Sequence, residues 1–370
     1  MFVLIALALV WILIPINIRL SLVIFIIVLL FNAVLSYGVV GDFFTYQRIF
    51  DVLVSGIHEG KIQLFYSGVE PVMYFLANAT HSLGLNAHFL IALYILSGSI
   101  IIIRSYLKVS KNYFFLFLMA LVYVNVFYFM SITFIRQFLA ASIIFYGLVT
   151  YIKDKQLLKY LLICAVASTI HISAILCIVL PIACSLNIKY GLKPIILLFI
   201  IAFLSIFINP VQYLAVLLPP ELGKFSKYLT GDMLEFGQKI YALVNTVILM
   251  IVFQGIYFLG GKKKELSDFE KASTNFFFCI IITRVISISI PSFSRLVIYL
   301  YPFIAIYIYY FLFIKLKLSY KLVFIYVLLF LSIVKIGVLS EINNYDAVVY
   351  NFCFNSEPCP TVIWGDMQND

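Results

Sequence analysis

Three arginines set in long apolar stretches pose the chemical question. Arg136 opens an apolar run in SITFIRQFLAAS, Arg284 lies inside another in IIITRVISIS, and Arg295 follows Pro291 in PSFSRLVIY. A guanidinium keeps its charge when desolvated and presents a planar fork that fits a phosphate or carboxylate with two bonds. Charged groups at hydrocarbon depth are costly, so each one marks a candidate site. The competing account of Arg136 is a side chain that snorkels to the lipid head groups. Gln137 beside it adds further donors. Together the arginines suggest a pyrophosphate or acidic-sugar site.

His171, in AVASTIHISAILC, falls at a predicted turn between two apolar stretches. Its ordinary pKa suits a general base at neutral pH. A histidine satisfied by a neighbouring carbonyl in a helix hairpin is the alternative. Asp42 and Tyr46 are one helical turn apart and share a face. That face suits sugar hydroxyls, with Tyr46 stacking on a ring, and equally suits the polar side of an interfacial helix. Arg48 lies on the same segment. Glu70, just before Pro71, is either charge at a helix start or a partner for one of the arginines. His58, His81 and His88 read as solvated loop residues.

The elements that must position these groups are membrane helices. Hydrophobic residues make up 64% of the chain and charged residues 11%, less than half the charge of a soluble domain. Apolar runs long enough to cross a bilayer recur along most of the length. In lipid the backbone must satisfy its own hydrogen bonds, which predicts an all-α, polytopic membrane domain. We read about 12 spans, near 2–16, 20–37, 87–104, 113–130, 137–152, 156–170, 172–188, 194–209, 239–260, 272–290, 295–314 and 320–339. They form one helical domain over 1–339, followed by a tail, 340–370. The first run lacks a basic start and a small-residue cleavage site, so it reads as a retained helix.

Charge orients the domain. Arg104–Lys108–Lys111, Lys153–Asp154–Lys155, Lys189 with Lys193, Lys262–Lys263–Lys264 and Lys315–Lys317–Lys321 all fall on one side with this set of spans. That side is the expected cytoplasmic one. The net charge of +9 is therefore a topology signal and not a sign of nucleic-acid binding. The opposite side carries loops 38–86 and 210–238 and the tail. In the first loop, Gly41 to Glu59 shows helical spacing, and Pro71 to Gly84 reads as a second short helix. Both are predicted to lie at the outer surface. Were 71–84 to cross instead, every later loop would invert. Cys164, Cys177, Cys184 and Cys279 read as small packing residues. Cys353 and Cys359 in the tail either pair in an oxidising compartment or stay free thiols. No P-loop, dinucleotide fingerprint or metal-ligand spacing is present.

The order of GDFFTYQRIF, Glu70–Pro71, RQFLAASIIFYGLVTYIKDKQLLKYLL, His171-Ile172-Ser173-Ala174 and SRLVIYLYPF resembles the polysaccharide polymerases of the EpsG and O-antigen (Wzy) type over about residues 40–310. The resemblance implies a GT-C-like glycosyltransferase of the bacterial inner membrane with its site facing the periplasm. Both of its substrates would be oligosaccharides linked to undecaprenyl pyrophosphate. No cofactor, metal or nucleotide sugar is expected. Membrane lipids and a chain-length regulator are expected partners. The chain departs from the larger O-antigen polymerases in lacking a very long second outer loop. On this reading Arg136, Arg284 and Arg295 hold the leaving pyrophosphate. His171 is the base, with Glu70 or Asp42 as substitutes, and Tyr46, Arg48 and Gln137 position sugars. An O-antigen ligase, a flippase for lipid-linked sugars and a membrane acyltransferase are the competing readings.

Overall fold

A computed structural model describes residues 17, 20–21, 23–25, 27, 41–58, 70–123, 131, 134–186, 191–207, 236–259 and 266–314. About 90% of these residues are helical, with no strand among them. The expected spans 2–16 and 320–339, most of 20–37, loop 210–238 as far as 235, the tail with Cys353 and Cys359, and the lysines at 189, 262–264, 315, 317 and 321 lie outside them.

From residue 41 the chain forms two helices joined through residues 59–69. α1 is Gly41–His58 and α2 is Pro71–Ser82, close to the segments expected from spacing. Pro71 sits at the first helical position of α2, where its missing N–H costs nothing. A residue before proline is pushed to extended backbone, and Glu70 has φ −68° and ψ 150°. Its side chain does not cap the helix and so is free to reach elsewhere. α3, Ala87–Val109, starts at an Asn86 cap whose Oδ1 accepts from Phe89 N at 3.3 Å. α4 is Tyr113–Val122.

α5, Ile135–Asp154, is the centre of the packing. It lies against α3, α6 and α10 and against both 3₁₀ segments. Gly98 of α3 sits against the ring of Phe138 on α5; an added Cβ would fall 2.5 Å from Phe138 Cε1. α5 ends at Lys155, whose φ of 56° turns the chain sharply. α6, Leu157–Ile170, then runs back, so that His171 returns to the level of Arg136. His171 opens a 3₁₀ segment, Ile172–Val179, which continues as α7, Leu180–Ser185. α8 is Leu192–Phe207 and α9 is Phe236–Leu259.

α10, Asp268–Ser289, begins at a capping box. Ser267 Oγ accepts from Glu270 N, and Glu270 Oε2 accepts from Ser267 N at 2.9 Å. Beyond it a second 3₁₀ segment, Pro291–Tyr299, leads into α11, Pro302–Ile308, and a π turn, Tyr309–Phe313. The path bends by 58° between the second 3₁₀ segment and α11.

Among the described residues, four helices are long and apolar enough to span: Ala87–Val109, Ile135–Asp154, Phe236–Phe258 and Asp268–Ser289. The bent pair Phe293–Tyr299 and Pro302–Leu312 makes up to five. Leu157–Ile170 and Leu192–Phe207 have 14 and 16 residues, giving about 21–24 Å of helix against a hydrocarbon core of roughly 30 Å. The count of about 12 is thus not established by the described part of the chain.

Basic residues gather at one end. Lys108, near the end of α3, donates to Thr150 Oγ1 at 3.1 Å, and Lys155 pairs with Asp268 at 2.8 Å. Arg136 begins α5 at its other end, about 30 Å away along a 20-residue helix.

Candidate functional site

Arg136 stands in the first turn of α5 and pairs with Glu70, the residue held extended by Pro71. Their side chains are only 19% and 13% exposed, so each charge depends on the other. The Arg136 guanidinium also lies 5.7 Å from the Tyr46 ring centre on α1. Next to it, Gln137 is buried and donates from Nε2 to the carbonyl of Arg295 at 2.7 Å. That bond ties α5 to the second 3₁₀ segment and sets Arg295 beside Arg136. The Arg295 guanidinium lies 5.4 Å from the Phe134 ring centre. A ring face holds a guanidinium in place while leaving its charge available.

Tyr46, Ile49, Phe134, Arg136, Gln137, His171 and Arg295 line one cavity of about 200 Å³. His171 enters from the turn after α6. Its Nδ1 receives the backbone N–H of Ser173 at 3.3 Å and contacts Ser173 Oγ at 2.8 Å. Ser173 Oγ is in turn 2.8 Å from the Tyr299 hydroxyl. Burial holds the His171 pKa below its ordinary 6.5. Glu70 opposes that shift, and Arg136 and Arg295 add to it.

Arg284 faces a different cavity. Its Nη2 donates to the Tyr301 hydroxyl, and its guanidinium lies 5.7 Å from the Tyr301 ring centre. With Gly237, Gln238, Tyr241, Ala242, Ser287 and Ser294 it lines about 450 Å³. Ser294 and Arg295, consecutive on the second 3₁₀ segment, therefore line the two cavities as a common wall. The grouping of three arginines expected from sequence divides into two in one cavity and one in the next.

The sequence profile of the EpsG family matches residues 19–352. The chain belongs to the EpsG family. No curated protein and no solved structure matches it. Membership suggests a function of the polysaccharide-polymerase type, and with the apolar helices it makes this EpsG-family chain a multi-pass membrane protein.

Of the residues singled out from its sequence, Arg136, Gln137, His171, Arg295 and Tyr46 share the smaller cavity, and Glu70 joins them through Arg136. Arg48 is exposed on α1 and lines neither cavity. Asp42 lies in α1, but its side chain is outside the described residues. Sequence reasoning missed Ser173 and Tyr299, which hold His171, and Phe134 and Tyr301, which hold arginines. It also missed Tyr94, whose buried hydroxyl has no hydrogen-bond partner among the described residues and lies near Arg136, Glu70 and Tyr46. Ser173 had a local signal, two residues after His171. The aromatic residues had none, being drawn from 26 tyrosines and 36 phenylalanines.

Proposed function

We propose that this EpsG-family protein is a polysaccharide polymerase. It joins oligosaccharide repeat units carried on undecaprenyl pyrophosphate at the outer face of the bacterial inner membrane. The observation that carries the reading is the cavity shared by Arg136, Arg295 and His171 amid apolar helices. Such a place suits a ligand with an anionic head and a hydrocarbon tail. An acceptor hydroxyl attacks the anomeric carbon, the carbon–oxygen bond to phosphate breaks, and the electron pair stays on the diphosphate. Charge that develops there needs fixed donors, and two ring-held guanidiniums supply them. They take the part a divalent cation would otherwise fill, so the reading requires neither metal nor nucleotide sugar. Tyr46 and Gln137 contact the sugar next to the diphosphate. The larger cavity, with Arg284, Tyr241 and the hydroxyls of Ser287 and Ser294, takes the other glycan.

Purified protein supplied with defined lipid-linked repeat units is expected to give a ladder of longer glycans with release of undecaprenyl diphosphate. Units that cross a vesicle membrane without growing would sink the reading in favour of transport. A single transfer to a lipid A core, with no ladder, would favour ligation.

A further inference from the structure

His171 presents a hydrogen, not a lone pair, to the cavity. A backbone N–H can only donate, so the nitrogen that meets Ser173 N at 3.3 Å must carry the lone pair. Ser173 Oγ, 2.8 Å from the same Nδ1, donates to it and accepts from the Tyr299 hydroxyl at 2.8 Å. The hydrogens therefore run in one direction, Tyr299 to Ser173 to His171, and a neutral imidazole so held has its own hydrogen on Nε2. Nε2 makes no hydrogen bond among the described residues, and the ring lines the smaller cavity. Moving the hydrogen to Nδ1 would set two N–H groups against each other at the start of the 3₁₀ segment. Protonating the ring would do the same.

A carboxylate fills the role this excludes. Glu70 engages Arg136 through Oε2, and Oε1 makes no hydrogen bond among the described residues. The groups facing His171 are Glu70 before α2, Arg136 and Gln137 on α5, Tyr46 on α1, and Arg295 and Tyr299 on the second 3₁₀ segment.

We propose that His171 donates from Nε2 to the departing diphosphate and that Glu70 Oε1 receives the proton of the acceptor hydroxyl. This role rests on the polymerase reading above. The acceptor oxygen bonds to the anomeric carbon and its hydrogen passes to Glu70. The bond from that carbon to the phosphate oxygen breaks with its electron pair on the diphosphate, where His171, Arg136 and Arg295 meet the new charge. Glu70 then returns its proton to water.

Three variants of the full chain in nanodiscs test the donor role of His171. His171→Gln carries an amide N–H near the position of Nε2 and is expected to keep activity within about tenfold of the parent. His171→Asn keeps the cap on Ser173 but lacks reach, and with His171→Ala it should lose about a hundredfold, the usual cost of one oxyanion donor. His171→Gln as inactive as His171→Ala would overturn the donor role. A readout that needs no turnover is ¹⁵N NMR of histidine-labelled protein, the His171 signal being assigned by its loss in His171→Gln. The Nε2–H tautomer is expected. An Nδ1–H tautomer overturns the assignment even in an active polymerase, and an Nε2–H tautomer in a protein that never elongates shows that the polymerase reading is what failed.

Discussion

At the scale of single residues, the three arginines share one device and differ in one respect. Each guanidinium lies over an aromatic ring: Tyr46 under Arg136, Tyr301 under Arg284, Phe134 under Arg295. Among the described residues only Arg136 also has a carboxylate. Because both partners of that pair are largely withdrawn from solvent, removing one leaves an uncompensated buried charge. Glu70→Gln or Arg136→Met alone should each lower stability by about 3–5 kcal/mol, while the double variant should cost much less than their sum. Thermal unfolding in detergent measures all three, and additive losses would show that the pair is not coupled. Arg136, Gln137, His171 and Arg295 were legible in the sequence because polar groups in apolar runs are expensive and stand out. Tyr299, Phe134 and Tyr301 were not, since an aromatic ring breaks no apolar pattern and its position over a guanidinium is a matter of three-dimensional packing.

At the scale of elements, helix starts were more readable than helix regularity. Pro71 and the polar start of α1 marked their segments to within a few residues. The stretches expected as spans at 172–188 and 295–314 contain 3₁₀ segments, and the second is also sharply bent. A 3₁₀ turn has no composition of its own. It arises here where His171 caps the chain and where α5 pins Arg295 through Gln137. The α3–α5 contact decides where that pin sits. Gly98→Ala would drive a methyl group into Phe138, the residue after Gln137, and should cost about 1–3 kcal/mol with a fall in activity. Gly255→Ala, where nothing lies within 4 Å, should be neutral or stabilising by up to about 1 kcal/mol. Equal effects of the two in thermal unfolding would remove the argument for a tight helix crossing.

At the scale of the whole molecule, the sequence conveyed an all-helical, multi-pass membrane protein and the separation of charges, but not a verified number of crossings. The separation is visible as basic side chains at the α3 and α5 ends, opposite the arginine cavity. Single cysteines introduced into a cysteine-free chain test which end faces out. Leu83→Cys, at an exposed turn, should react with a membrane-impermeant maleimide on intact cells, and Lys155→Cys only after lysis. The opposite result would turn the cavity toward the cytoplasm and end the outer-face assignment. The partition formed by Ser294 and Arg295 carries a last implication. In a 3₁₀ helix successive side chains diverge by about 120°, so the register of that stretch acts as a ruler, allotting one residue to each chamber. Letters along it can vary, but its length cannot. Relatives that keep both chambers should show no gap between Pro291 and Tyr299, and an insertion there in a relative that still makes polymer would contradict the idea.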